Sequence, residues 1–156
     1  MPDKPAPYPD LDALMAAALA QAQRAADAGE VPVGAVLAGP DGSILAAAHN
    51  TVEAERNPLR HAEMRVLEMV LADHDDKFLS GCTLAVTLEP CPMCMGALGH
   101  ARVGRVVFGA YDPKSGGAVS GPRVASHLHA PVEVLGGIRE EACAAVLRDF
   151  FRGLRA

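Results

Sequence analysis

Two short segments restrict what this chain can fold into more than anything else in it: His61-Ala62-Glu63 and, further along, Pro90-Cys91-Pro92-Met93-Cys94. An imidazole and two thiols are metal ligands, so a fold that uses them must bring both segments to one point. Cys91 and Cys94 stand at i and i+3, and a helix beginning at Pro92 sets both sulfurs on one face of its first turn. The positive end of the helix dipole there favours thiolate. Three protein ligands are one short of a closed tetrahedral site, and Glu63 is a spare carboxylate two residues from His61. A structural zinc would require a fourth ligand, whereas a hydrolytic one leaves that position to water and keeps an acid/base group beside it.

The rest of the chain alternates helical and extended patterns around these segments. Asp10 precedes an Ala/Leu/Met-rich run that ends at Gly29, with Leu11, Leu14, Met15, Ala18 and Leu19 in helical spacing, which predicts an N-capped first helix. Residues 33–37 and 43–48 flank Gly39-Pro40-Asp41-Gly42 and predict a β-hairpin. A helix is predicted over 58–73 from Met64, Leu67, Val70 and Leu71, placing His61 and Glu63 in its opening turns. Residues 83–88 predict a strand, 92–101 the cysteine helix, 105–109 and 132–135 two more strands, and 138–152 a last amphipathic helix with Ala142, Ala145, Val146 and Phe150 on one side. The order α-β-β-α-β-α-β-β-α predicts an α/β protein with one mixed sheet covered on both faces. The stretch 112–131 is long, irregular and rich in Gly, Ser and Pro, a character common in functional loops.

With 156 residues the chain suits one domain, expected over 10–156, preceded by a proline-rich extended or disordered segment over 1–9. That segment has no apolar run, and no other stretch approaches a membrane span, so a cytoplasmic protein is expected. A formal net charge of -5 provides no general basic field for nucleic acid, which leaves only a local patch for such binding. Lys114, Arg123, Arg148, Arg152 and Arg155 are candidates for a basic rim, with an ordinary solvated surface as the alternative. Tyr111 is a candidate to stack on a base or simply to cover the loop, and His127-Leu128-His129 is read as loop rather than a second metal site. Cys82 and Cys143 stand alone in apolar surroundings and are expected in the core. Gly96 and Gly99 are expected to permit close packing of a partner.

A zinc ion on two sulfurs and one imidazole keeps an open position for a water whose pKa it lowers toward neutrality. Glu63 is placed to take a proton from that water and return it to a ring nitrogen and a departing amine, which makes hydrolytic deamination the reaction these four residues serve most directly. H-x-E followed by P-C-x-x-C is a known signature of zinc-dependent nucleobase deaminases. A Cys-x-x-Cys alone also suits a zinc-ribbon half or a redox pair, but neither needs His61 and Glu63.

Over residues 15–152 the chain resembles the cytidine-deaminase-like superfamily and, within it, the bacterial tRNA-specific adenosine deaminases. The matching segments are Glu30-Val31-Pro32-Val33-Gly34-Ala35-Val36, Asn50, His61-Ala62-Glu63, Val86-Thr87-Leu88-Glu89-Pro90-Cys91, Cys94, Gly104-Arg105-Val106-Val107-Phe108-Gly109-Ala110, Asp112 and Phe150-Phe151-Arg152. The resemblance implies a three-layer α/β/α cytidine deaminase-like fold with a five-stranded mixed sheet between helices. It also implies a homodimer and conversion of the wobble adenosine of a tRNA to inosine. By the same carry-over His61, Cys91 and Cys94 bind zinc, Glu63 shuttles protons, and Asn50 hydrogen-bonds a flipped nucleotide. Val33 lines the base pocket, the backbone after Ala62 holds the base edge, and Asp112 contacts the neighbouring nucleotide. Leu59-Arg60 departs from the small pair usual before the zinc histidine, and Arg60 is expected at the mouth of the pocket. Arg60, the acidic balance and the lack of a basic tail after Arg152 favour the rival reading, a deaminase of free bases or nucleosides. An inactive RNA-binding or partner subunit is the rival of another class, against which stands the retained Glu63.

Overall fold

The structure is a computed structural model, and it describes residues 9–154. The expected proline-rich segment therefore lies outside the described residues except for Pro9, as does Arg155. Helix α1 spans Leu11–Asp27, and Asp10 caps it by accepting a hydrogen bond from the Ala13 amide at 3.0 Å. Strands β1 (Gly34–Ala38) and β2 (Ile44–His49) form the expected antiparallel hairpin, closed by Gly42 at φ +86°. A short helix α2 (Val52–Glu55) precedes α3 (Ala62–Asp73). Then come β3 (Thr83–Leu88), α4 (Pro92–His100), β4 (Arg105–Ala110), β5 (Glu133–Leu135) and α5 (Glu140–Leu154).

The five strands form one mixed sheet in the order β2-β1-β3-β4-β5. β1 runs antiparallel to both β2 and β3, while β3, β4 and β5 are mutually parallel neighbours. Alternation along each strand sends side chains to two separate cores. Leu37, Leu84, Val86 and Phe108 face Val66, Leu67, Met95 and Leu98 of α3 and α4. Val36, Ala38, Ala85 and Val107 face Leu14, Met15 and Ala18 of α1 and Cys143 of α5. The three-layer α/β/α arrangement is the expected one. Small residues bring the layers together: a Cβ on Gly34 would lie 2.0 Å from the Ala18 carbonyl oxygen, so α1 rests directly on the β1 backbone.

Several expectations shift. Helix α3 begins at Ala62, with His61 as its N-cap rather than inside its first turn. The residue before a proline disfavours helix, and Asn57 Oδ1 takes the Leu59 amide at 2.9 Å, so residues 57–60 form a turn. Helix α5 buries Cys143, leaves Ala142 exposed, and half-buries Ala145, Val146 and Phe150. The cause is Gly109 in β4, where a Cβ would meet Cys143 Sγ at 2.3 Å, so this contact sets the helix's rotation. Gly99 serves its own chain, since a Cβ there would meet Leu128 Cδ2 at 2.6 Å, while Gly96 opens onto empty space. Cys82 and Cys143 are both free and buried, as expected. No described helix is long and apolar enough to cross a membrane.

Topology also accounts for the long irregular stretch 112–131. Parallel neighbours need a crossover of a dozen residues or more, and between β4 and β5 this stretch is that crossover, relieved by one 3-10 turn at Val124–His127. It leaves the carboxyl end of β4, beside the end of β3 from which the cysteine segment departs.

Candidate metal centre and active site

His61 and Cys91 are each the extended residue that caps a helix, at the starts of α3 and α4, and Cys94 follows in the first turn of α4. The two helix starts converge. His61 Nδ1 lies 3.6 Å from Cys91 Sγ and 3.5 Å from Cys94 Sγ. A tetrahedral zinc, with Zn–N of about 2.0–2.1 Å and Zn–S of about 2.3 Å, requires a nitrogen–sulfur edge of about 3.6 Å. The donor set fits zinc in both chemistry and spacing. Among the described residues, His61, Cys91 and Cys94 form the one cluster of three or more such side chains able to share an ion. His127 and His129 do not form such a cluster.

The electrostatics suit metal binding. The hydrogen bond from Cys94, aided by His61, pulls the Cys91 thiol down to about 4, against the effect of burial. The same hydrogen bond and burial drive Cys94 upward, so the pair holds one proton that a cation displaces. His61 is raised, chiefly by its hydrogen bond with Cys91. Glu63 is 3% exposed, and burial lifts its carboxyl to about 7, a value at which a group takes and returns protons near neutrality.

His61, Glu63 and Cys91 border a cavity of about 340 Å³, at the small end of ligand pockets. Val31, Val33, Val52 and Leu88 contribute apolar wall; Asn50, Ala62 and Glu63 also line it, and the exposed Glu53 and Ser115 border it together with the half-buried Asp112. Asn50 is pinned between two walls: its Nδ2 donates to the Val31 carbonyl at 3.2 Å and its Oδ1 accepts from the Val52 amide at 3.1 Å. One amide hydrogen and one lone pair are left over for other partners. Asp112 Oδ1 accepts from the Lys114 and Ser115 amides at 3.2 and 3.1 Å, making the turn that presents Ser115.

Arg60 is not among the lining residues. Its guanidinium pairs with Glu68 of α3 and lies 3.9 Å from Glu55, so the charge expected at the mouth is turned onto neighbouring helices. Tyr111 packs edge-on against Phe108, with ring centroids 5.0 Å apart, and does not line the cavity. Of the basic candidates, Arg148 pairs with Glu141 at 2.5 Å and Arg152 lies 4.0 Å from Asp149, while Lys114 and Arg123 are exposed.

Two carboxylates of the cavity had no role in the sequence reading. Glu30, 1% exposed, accepts from the Glu53 and Ala54 amides at 2.9 and 2.8 Å and so holds α2 in place. Glu89, 2% exposed, accepts from the amides of Asp112, Val119 and Ser120 at 3.1, 2.8 and 2.9 Å. Burial pushes the Glu89 carboxyl up, but the hydrogen bonds from Ser120, Val119 and Asp112 outweigh it and hold it below the usual range. The available signal was an acid set directly beside an apolar strand, where a solvated face is not expected.

Comparison with known proteins agrees with this geometry. The chain is 45% identical over 143 residues to the tRNA-specific adenosine deaminase of Bacillus subtilis, covering 90% of this chain and 88% of that one. It is 50% identical over 148 residues to a tRNA(Ile)-lysidine synthase of Deinococcus deserti, covering 93% of this chain but only 27% of that protein's length. Its fold matches, at a TM-score of 0.83 and 38% identity, a chain solved in studies of A-to-I editing by tRNA:A34 deaminases at the wobble position of transfer RNA. That match covers 86% of this chain and 99% of the other. Residues 9–110, which contain the whole ligand set, match the cytidine and deoxycytidylate deaminase zinc-binding region, and the chain belongs to that family.

Proposed function

We propose that this protein is a zinc-dependent hydrolytic deaminase that converts the wobble adenosine of a tRNA to inosine, working as a cytoplasmic homodimer. The observation that carries the tRNA reading is the 45% identity to the Bacillus subtilis tRNA-specific adenosine deaminase over nearly the full length of both chains. The chemistry rests on the site itself. Zinc held by His61, Cys91 and Cys94 would supply an activated water at neutral pH. Glu63, in the same cavity, carries one proton from the water to the ring nitrogen, where it stays, and then the second from the newly added hydroxyl to the leaving amine, which departs as ammonia, one carboxyl serving as base and acid. Val31, Val33 and Leu88 give the base an apolar slot that excludes bulk water. Asn50 and the backbone after Ala62 orient it, and Asp112 and Ser115 stand where the neighbouring nucleotide enters. Lys114, next to Ser115 in the turn that Asp112 makes, supplies exposed positive charge at that entrance despite the acidic whole.

The test is ammonia release by the zinc-loaded protein on tRNA bearing a wobble adenosine, in parallel with free guanine, cytosine and adenosine. Inosine formed in the tRNA alone supports the proposal. Release from a free base alone moves the substrate while leaving the chemistry in place, and silence throughout favours an inactive partner subunit.

A further inference from the structure

Between Asp112 and Ser120 the chain has neither strand nor helix; Asp112 itself takes the Lys114, Ser115 and Gly116 amides, while those of Asp112, Gly117, Val119 and Ser120 have partners outside the segment. One side chain supplies three of them. Glu89 Oε1 accepts from the Asp112 amide at 3.1 Å, and Oε2 from Val119 and Ser120 at 2.8 and 2.9 Å, so both ends of the segment are tied to a single buried carboxylate. The segment wraps closely because it carries glycine where the approach is tightest. A Cβ on Gly116 would lie 2.3 Å from Glu89 Oε2, and one on Gly117 would lie 2.7 Å from the Cys91 carbonyl carbon. The Gly117 amide also donates to the Pro90 carbonyl at 2.6 Å. Glu89 is thus the shared anchor of the strand end that leads into the cysteine helix and of the segment that presents Asp112 and Ser115 to the cavity.

We infer that Glu89 is a positioning residue for substrate, fixing Asp112 and Ser115 at the cavity entrance so that a nucleotide next to the reacting base meets a preformed wall. The inference rests on the nucleic-acid reading proposed above. Glu89 is not in the ligand cluster, and it acts through the segment it holds.

Replacing this side chain by its amide separates the role from folding. A carboxylate accepts at both oxygens, whereas an amide accepts at one and donates at the other. In Glu89→Gln the amide oxygen satisfies two donors if it faces Val119 and Ser120, which turns its NH₂ group toward the Asp112 amide, donor against donor. The entrance end of the segment is released while the far end stays attached.

The experiment compares zinc-loaded parent and Glu89→Gln chains by zinc content, amide hydrogen exchange, and steady-state kinetics on an anticodon stem-loop with a wobble adenosine. Expected are unchanged zinc, exchange about tenfold faster at Asp112 with Val119 and Ser120 still protected, and KM raised about tenfold with kcat within about twofold. A merely structural lesion would lower the active fraction, and hence kcat, without that split. Unchanged exchange at Asp112, loss of zinc, or a fall in kcat at constant KM each overturns the inference. If the parent itself leaves the RNA untouched, the functional reading is what fails. The KM and kcat comparison is then made on whichever base or nucleoside the parent deaminates, where an unchanged KM overturns the role assigned to Glu89.

Discussion

Glu63 is the side chain whose environment says most about its use: an acid in the first turn of α3, almost wholly buried, beside three metal ligands. Glu63→Ala is expected to keep zinc and fold while turnover falls by about 10²–10⁴, the usual worth of a positioned proton carrier; persistent turnover in a zinc-replete variant would remove Glu63 from the mechanism. The cysteines divide just as sharply. Burial raises the Cys143 thiol to about 11 and also raises Cys82, so both are nearly devoid of thiolate at pH 8. Thiol titration of the native protein at pH 8 should therefore show Cys91 and Cys94 becoming reactive when a chelator is added, with Cys82 and Cys143 reacting only on unfolding. The ligands and Glu63 were legible in the sequence because the chemistry demands particular residue types at close spacing. Glu30 and Glu89 were not, since the amides that explain them lie 23 to 31 residues away in the chain.

At the scale of elements, glycines determine how closely helices approach the sheet. Gly34→Ala would press a methyl group against the α1 backbone, where nothing flexible can yield, with the Ala18 carbonyl oxygen 2.0 Å away. A loss of about 2–3 kcal/mol is expected from urea unfolding, and an unchanged midpoint would refute this account of α1 docking. The starts of α1 and α5 are joined by Arg139, whose Nε and Nη2 meet the two Asp12 oxygens at 2.7 and 2.8 Å. The hydrogen bond from Arg139 holds the Asp12 carboxyl below its ordinary value of 3.8. A lowered carboxyl contributes stability in full above its unfolded value and loses it as pH falls through the folded one. Between pH 5 and 2, Asp12→Asn should therefore show a shallower loss of stability than the parent, and parallel curves would sink the idea; the pair is exposed and the difference small. The hairpin and the long helices followed from periodicity and breakers. The start of α3 did not, because the Asn57 side chain captures an amide that apolar spacing alone assigns to a helix.

For the whole molecule, the metal centre joins α3 to α4, two helices that share one core on one face of the sheet. Binding energy at such a centre is also folding energy, so Cys91→Ser or exhaustive chelation is expected to lower the melting temperature well beyond the effect of Glu63→Ala; equal melting temperatures would mean the fold is indifferent to the ion. The layered α/β architecture, the ligand set and the acid beside it were readable along the chain, because periodicity and ligand chemistry are properties of neighbouring residues. Folding was needed to turn Arg60 away from the cavity, to set Gly99 against Leu128 of the same chain, and to make Glu30 and Glu89 tethers of the cavity's walls. The last two depend on which distant segments the sheet order places together, since the return from β4 to its parallel neighbour β5 carries the 112–131 crossover out past the end of β3, against the cavity; Arg60 is instead drawn aside by nearby acids, Glu55 of α2 and Glu68 of α3.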